Sequence, residues 1–314
     1  MRVLLTGAFG NVGTSVLREI DGRGHEVVCF DVPSKANHRT AARLSARACW
    51  GDLRNAEAVA AAMAGCEAVI HLAAIIPPAS DRNPALAEAV NVGGTANIIA
   101  AARAQGGARI LYASTIALFG RTQHLDPPRT VDDPIQITDP YTAHKAEGER
   151  MLRESGLPVG ILRFGAVLPL QLLGSIDPLM FEVPLSDRIE FVHTYDVGLA
   201  LVNALDQEEV WGRTLLIGGG RACQVYQREL MARGLEAVGV GMLPESAFST
   251  TPYHTDWMDT EESQRLLAFQ RHTYDDYLEQ LVGVLGWRRH AVRGLRPLVR
   301  RWMLRGSPYY RAGG

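Results

Sequence analysis

The chain opens on a short apolar run, Arg2-Val3-Leu4-Leu5, that passes directly into Thr6-Gly7-Ala8-Phe9-Gly10-Asn11-Val12-Gly13. Apolar residues then recur at helical spacing, with Val12, Val16, Leu17 and Ile20 on one face, until Gly22 and Gly24 stop the pattern. Residues 26–31, ending in Asp31, read as a second strand. The alternation continues through the first half. Residues 46–50 predict a short third strand, and 55–64 an alanine-rich helix capped by Asn55 or Asp52. Residues 68–74 predict a fourth strand, apolar without interruption. Residues 84–105 predict a long helix packing through Leu86, Val90, Ile98 and Ile99, and 109–113 a fifth strand. Continuous apolar strands alternating with helices predict a doubly wound parallel sheet covered on both faces.

The second half is less regular. After a loop with Pro127, Pro128 and Pro134, a helix is predicted to open at Asp139-Pro140-Tyr141 and run to about Glu154. A helix over 195–205 and a strand over 213–217 return to the sheet. Gly218-Gly219-Gly220 has no phosphate-binding helix pattern around it and reads as a flexible connection. Helices are expected over 224–237, 260–267 and 274–285, the last burying Tyr277, Leu278, Leu281 and Leu285. The irregular stretch 242–255 leads to a cluster of Tyr253, His254, Asp256 and Trp257, with His254 read as a packing or surface residue rather than a substrate ligand.

Composition narrows the class. The 314 residues are 47% hydrophobic and 21% charged, with a formal net charge of −2, so nothing pulls the whole chain toward nucleic acid. Cys29, Cys49, Cys66 and Cys223 show no CxxC spacing, which implies free thiols, no metal site and a cytoplasmic setting. No apolar run of about eighteen residues suggests a membrane span, and the N-terminus shows no signal-peptide pattern. The end is unusual. From Arg288 to Arg311 there are eight arginines and no acid, with Leu295, Leu298, Val299, Trp302 and Met303 at near-helical spacing and Pro297 interrupting. Such an element packs on its own domain or on a second subunit, the expected case, or lies peripherally on anionic lipid.

The candidate chemistry sits at strand ends. A strand, a glycine-rich turn, a helix and a second strand ending in an acid are the order of parts a dinucleotide needs. Gly7 allows the tight turn, Gly10 lets backbone approach a pyrophosphate, and Gly13 lets helix and strand pack closely, while the helix N-terminus offers free N–H groups. Asp31 would accept hydrogen bonds from the adenosine ribose and repel a 2′-phosphate, favouring NAD, although nearby Lys35 and Arg39 keep NADP in play. Ser114-Thr115 ends the fifth strand, the edge where ligands bind in open sheets. Tyr141 and Lys145 are four apart and share one helix face. An ammonium beside a phenol is expected to lower the phenol's pKa, making Tyr141 an acid/base for a substrate hydroxyl that Thr115 orients, with Ser114 a helper.

Taken together, Thr6-Gly7-x-x-Gly10-x-x-Gly13, Gly51-Asp52-Leu53, His71-Leu72-Ala73-Ala74, Asn91-Val92-x-Gly94-Thr95, Ala113-Ser114-Thr115, Tyr141-x-x-x-Lys145, Leu162-Arg163 and Phe191-Val192-His193-x-x-Asp196-Val197 resemble an extended short-chain dehydrogenase/reductase of the NAD-dependent epimerase/dehydratase branch. The likeness covers about residues 1–217 strongly and weakens beyond. It implies a Rossmann-type doubly wound parallel sheet with a smaller C-terminal substrate-binding region. The expected division is 1–170 with 189–217 for NAD, 171–188 with 218–287 for substrate, and 288–314 as an Arg-rich tail. It implies cofactor contacts from Gly7, Phe9, Gly10, Asn11, Val12, Gly13 and Asp31. Asp52 and Leu53 should flank the adenine, and Leu72, Ala73 and Ala74 the pyrophosphate and ribose. Asn91 should support nearby backbone, Tyr141 and Lys145 reach the nicotinamide ribose, and Phe164 to Val167 border the nicotinamide. Thr115, Tyr141 and Lys145 are the expected catalytic set, and His193 and Asp196 structural partners. A homodimer is the expected assembly.

Two departures shape the expected reaction. Related sugar-nucleotide dehydratases follow the catalytic Thr with an Asp-Glu pair; here Ile116-Ala117 follows Thr115, so dehydration is disfavoured unless Asp126, Asp132 or Asp133 substitutes. Only 27 residues, with Arg188 the one basic residue among them, separate Arg163 from Phe191, which implies a substrate smaller than a sugar nucleotide. Arg163-x-Gly165 and Pro169 are similar to uronate dehydrogenases. Ile75-Ile76-Pro77-Pro78 should border the pocket or form a packed connection. The expected activity is NAD-dependent hydride transfer on a secondary alcohol or carbonyl of a sugar or sugar-acid-like small molecule. The alternatives are a sugar or sugar-nucleotide epimerase, a regulatory NAD-binding protein without turnover, and a membrane-recruited protein.

Overall fold

The computed structural model describes residues 1–44, 46–170 and 178–310. Residues 171–177 of the expected substrate-binding segment and Arg311 of the basic end lie outside the described residues. Seven parallel strands form the main sheet: β1 (Arg2–Thr6), β2 (Glu26–Asp31), β3 (Ala48–Trp50), β4 (Ala68–His71), β5 (Arg109–Thr115), β6 (Val159–Phe164) and β8 (Thr214–Ile217). Their order is β3-β2-β1-β4-β5-β6-β8. The chain runs outward from β1 to β3, then crosses back to place β4 on the other side of β1. That reversal leaves a crevice beyond the carboxyl ends of β1 and β4, where ligands bind in such sheets.

Period-two side-chain alternation explains why both faces are covered. Val3, Leu5, Ile70, Leu111 and Leu162 point to one side, into a core with Val16 and Ile20 of the Asn11–Ile20 helix and Val197 and Leu201 of the Thr194–Leu205 helix. Leu4, Val69, Ile110 and Ile161 point to the other, against Val59 and Met63 of the Ala56–Met63 helix and Ile98 and Ala102. The continuous apolar strands noted in the sequence are therefore two interleaved faces, each with its own helical cover.

The long helix, Pro84–Ala104, is apolar and long enough to cross a membrane by length and composition, but its Ile98, Ala101 and Ala102 lie in the core. Its middle turn, Ala89–Gly93, is π-helical, and that turn carries the buried Asn91. π-Turns of this kind commonly mark functional positions.

A smaller body follows. β7 (Arg188–Glu190) pairs antiparallel with β9 (Gln224–Tyr226), so the first three residues expected to be helical are strand, and the helix is Gln227–Ala237. Around them Phe181, Phe191, Leu230, Tyr277 and Leu281 form a separate core. The three consecutive glycines are packed rather than flexible. Gly219 N–H donates to Phe191 O and Gly220 N–H to Glu190 Oε1. A Cβ at Gly218 would lie 2.0 Å from Glu190 Oε1. Glycine is needed there for close approach, not for mobility. The basic end forms two helices, Arg288–Gly294 and Arg296–Leu304, with Pro297 in the first turn of the second, where it lacks no hydrogen bond. Their inner side packs on this body: Met303 is buried, and Arg296 Nε donates to Val240 O at 2.7 Å.

Candidate active site

The glycine turn is held by contacts that only glycine permits. Gly7 has φ +67°, and a Cβ there would sit 2.9 Å from Ala73 N. A Cβ at Gly13 would fall 2.2 Å from Gly7 O, so the helix can begin this close to the strand only because Gly13 has none. Gly10 is different. A Cβ there would meet only Gly7 O, at 3.4 Å, and the residue is exposed. Its outer side is open backbone at the start of a ten-residue helix with no side-chain cap, so Asn11, Val12 and Gly13 present unpartnered N–H groups outward. This cradle fits a pyrophosphate.

Asp31 at the end of β2 closes the same turn. Its Oδ2 accepts from Phe9 N–H at 2.9 Å, and its Oδ1 accepts from Val32 N–H at 2.8 Å and Asn37 Nδ2 at 3.0 Å. Burial raises its pKa, while the Phe9 and Val32 amides oppose the rise. Lys35 and Arg39 are exposed on the next helix, Lys35–Arg43, which the polar sequence concealed. On the other side of the crevice, Thr6 Oγ1 accepts from Leu72 and Ala73 N–H, both at 3.2 Å, tying the ends of β1 and β4 together. Ala74 follows in the same loop. Asn91 clamps the chain beyond it: its Oδ1 accepts from Ile75 N–H at 2.7 Å and its Nδ2 donates to Ile75 O at 2.8 Å. At Asp52 and Leu53, the Asp52 carboxylate is held by the Arg54 guanidinium at 2.6 Å, and the Leu53 side chain is buried against Gly94.

Thr115 ends β5, and the Pro140–Arg153 helix brings Tyr141 to it. Asp139 caps that helix, accepting from Thr142 N–H at 2.8 Å, and Pro140 occupies the first turn. The Thr115 side chain lies near enough to the Tyr141 hydroxyl to favour its ionised form. Thr115 Oγ1 also accepts from Ala117 N–H at 3.1 Å, which fixes its rotamer. Phe164 lies beside Thr115 across the β5–β6 pairing, and Val167 follows in the next loop, partly buried. These groups meet at the carboxyl edge of the sheet.

The electrostatics differ from expectation. Lys145 was expected to lower the Tyr141 pKa. Instead burial, then the Asp139 carboxylate, push the phenol above its ordinary value of 10, with the nearby Thr115 side chain opposing them. Lys145 does not reach the hydroxyl. Its ammonium donates to Ala113 O at 2.7 Å, lies 4.7 Å from the Tyr112 ring centre and 5.9 Å from that of Tyr141. The residue is 4% exposed, and burial pushes its pKa down to about 8, against the pull of Glu149.

Glu149 was not singled out in the sequence, although 141, 145 and 149 are successive positions on one helix face. Its buried carboxylate accepts from Arg163 Nε at 2.9 Å, Arg163 Nη2 at 2.8 Å and Arg153 Nη2 at 2.7 Å. Burial works to raise its pKa, but Arg163, Ser114 and Arg153 outweigh it and hold the group below the ordinary carboxylate value. Ser114 is spent here: its Oγ donates to Glu149 Oε1 at 2.6 Å, on the opposite face of the strand from Thr115. It is not a helper to Thr115.

The remaining candidates are structural. Arg188 is bound to Asp256 at 2.6 Å and to the Leu125 carbonyl. Asp196 is buried and accepts from the Arg271 and His272 amides. His193 accepts from Tyr195 N–H at the start of its helix. His254 is buried 3.6 Å from Asp139, a packing residue behind the helix cap. Asp133 pairs with Arg129, and Asp126 and Asp132 are exposed on the loop. No cluster able to hold a metal occurs among the described residues.

A family model described as the NAD dependent epimerase/dehydratase family matches residues 3–175. The chain is 32% identical over 188 residues to a 3-beta-hydroxysteroid dehydrogenase of Mycolicibacterium neoaurum, covering 58% of this chain and 50% of that one. It is 28% identical over 286 residues to a UDP-glucose 4-epimerase of Azospirillum brasilense, covering 80% and 81%. The chain thus spans about half the length of the first curated relatives it matches. Among solved structures, a dTDP-glucose 4,6-dehydratase from Streptomyces venezuelae with NAD bound superposes with a TM-score of 0.77 at 25% identity, covering 95% of this chain and 100% of that one.

Proposed function

The chain belongs to the NAD dependent epimerase/dehydratase family, and from that premise we propose that it is an oxidoreductase transferring hydride between NAD and a secondary alcohol or carbonyl. The observation that carries this reading is the meeting of Thr115, at the end of β5, with Tyr141, brought beside it by the Pro140–Arg153 helix, on the same sheet edge as the uncapped helix behind Gly10. The bound nicotinamide supplies the hydride acceptor or donor. Gly7, Gly10 and Gly13 would hold the pyrophosphate, Asp31 the adenosine ribose, and Tyr141 with Lys145 the nicotinamide ribose.

At neutral pH the raised pKa keeps the Tyr141 phenol protonated, the form that donates a proton to a carbonyl oxygen as hydride arrives. In the oxidative direction the phenol must first lose its proton, so oxidation should speed up with rising pH. Thr115 positions the substrate oxygen. Ile116 and Ala117 are buried and carry no proton, which argues against dehydration.

A neutral hydroxyl compound of sugar size suits the site better than a carboxylate, because Arg163 and Arg188 are both consumed by buried acids. The likeness to a sugar epimerase over four-fifths of the chain favours one second reading, epimerisation through transient oxidation. Free cysteines support a reducing, cytoplasmic setting; a homodimer goes with the same reading.

The test is a screen of sugars and secondary alcohols for net NAD reduction at the nicotinamide absorbance, with Tyr141→Phe as control. The reading expects turnover that falls by about two orders of magnitude or more in the variant, with NADH still bound through the glycine turn, Asp31 and Lys145. Interconversion of a sugar without net NADH would favour the epimerase. NADH binding with no chemistry on any class would overturn both.

A further inference from the structure

The basic end is amphipathic in a way its packing does not use up. Toward the protein, Met303 is buried, Ser307 Oγ donates to Ala247 O at 2.6 Å, and Arg300 donates to the carbonyls of Val240 and Gly241. Arg296 pairs with Glu236 at 3.3 Å. These contacts hold two helices that share Leu295: its N–H donates to Ala291 O, and its own carbonyl accepts from Leu298 and Val299.

The outward side is large, apolar and cationic. Trp287 is 75% exposed, Leu295 55%, Leu298 66% and Trp302 53%. Leu298, Arg301, Trp302 and Arg305 stand three, four and seven positions along from the first, the places of a single helix face, and all four are exposed. Arg288, Arg289, Arg293, Arg301 and Arg305 have no acidic partner among the described residues. Arg300, Arg301 and Arg305 also border a shallow recess of about 550 Å³ with Pro297, Leu304 and Tyr310, a lining without a carboxylate.

We propose that this face docks on an anionic phospholipid surface, with Leu298 and Trp302 entering the interface and the unpaired arginines meeting lipid phosphates. Tryptophan is favoured at the headgroup boundary, and an apolar face flanked by cations is the pattern of helices that lie in it. Charge selects this occupant. A second copy meeting the same face about a two-fold axis would set arginine against arginine. The rest of the chain is not basic, since a net charge of −2 remains with all eight arginines included. The attraction is therefore local to one end and would orient the molecule.

The test is co-sedimentation of the full chain with vesicles of phosphatidylcholine alone, or with about one-third phosphatidylglycerol. Capture by the anionic vesicles at least about tenfold stronger than by neutral ones, weakened by salt, is expected. Leu298→Glu with Trp302→Glu, and separately Arg301→Glu with Arg305→Glu, should each remove most of that capture. Melting temperature and NADH binding should be unchanged, because these side chains are exposed and their helix packs on the smaller body. Equal capture by both vesicles, or capture unaffected by either pair, overturns the proposal. So does a concentration-dependent dimer abolished by the same substitutions, or tighter binding to a DNA duplex than to anionic vesicles.

Discussion

Replacing Lys145 with methionine should make the protein more stable and destroy its activity. The residue is 4% exposed, and among the described residues its ammonium's one close hydrogen-bond acceptor is the Ala113 carbonyl. The nearest acid on its face, Glu149, is already saturated by Arg163, Arg153 and Ser114. Burial pushes the Lys145 pKa from 10.5 to about 8. In the unfolded chain the amine holds its proton up to about 10.4, so between pH 8 and that value the unfolded state binds more protons than the folded one. Stability therefore rises with pH across this window, and the opposition to folding is fully present below it. At about 1.4 kcal/mol per pH unit, that opposition is about 3 kcal/mol at pH 7. A methionine of similar length removes it, and for a chain of this size the melting temperature should rise by roughly 4–6 °C. The assay is calorimetric or optical melting of both proteins from pH 7 to pH 10, beside turnover measurements. The gap should be widest at pH 7 and close as pH climbs past 8. A methionine variant that melts below the parent at pH 7, or a gap indifferent to pH, would refute the reasoning.

Other outcomes follow from the same geometry. Glu149→Gln leaves Arg163 buried beside a neutral partner and should cost about 3–5 kcal/mol of stability by urea denaturation; recovery in Glu149→Leu with Arg163→Met is the check, and no loss in the single variant would contradict the buried pair. Because Glu149 is held below its ordinary pKa, its contribution is present above the unfolded carboxylate value and lost as pH falls through the lowered one, so Glu149→Gln should flatten the acid limb of the stability curve. Gly13→Ala puts a carbon 2.2 Å from Gly7 O and must move the turn; NADH affinity, followed by fluorescence titration, should fall at least about tenfold. Asp31→Asn keeps an acceptor for the Phe9 amide but removes the charge a 2′-phosphate would meet, and the NADP-to-NAD ratio of kcat/KM should rise roughly tenfold or more. An unchanged ratio would place the ribose elsewhere.

The main sheet was legible because covered parallel strands must be apolar at every position, and the glycine turn because Gly7 and Gly13 each meet a steric limit that no other residue satisfies. What stayed hidden depends on distant partners. The Lys35–Arg43 helix buries only Ala41, so it leaves no apolar stripe to read. β7 and β9 are three residues each and exist because they pair with one another across 36 positions at the Ile189–Val225 step. Three consecutive glycines look mobile in one dimension, and only the Glu190 carboxylate folded against Gly218 and Gly220 shows why side chains are excluded.

The active helix shows where such reading stops. Spacing alone puts residues 141, 145 and 149 on one face, and they do share it. Spacing does not say how far each group is from water. Lys145 turns inward to the Ala113 carbonyl, so its charge is spent on β5 and not on the phenol. The phenol's pKa rises where a reading of neighbours alone lowers it. If hydride transfer needs the Tyr141 phenolate in the oxidative direction, the missing stabilisation has to come from what binds beside it. A ribose hydroxyl that draws the ammonium away from Ala113, together with the positive nicotinamide, would act in that sense. The pH at which oxidation half-saturates should then lie well below the pKa of the free enzyme's Tyr141, and the distance between the two measures how much of the acid–base machinery the cofactor completes.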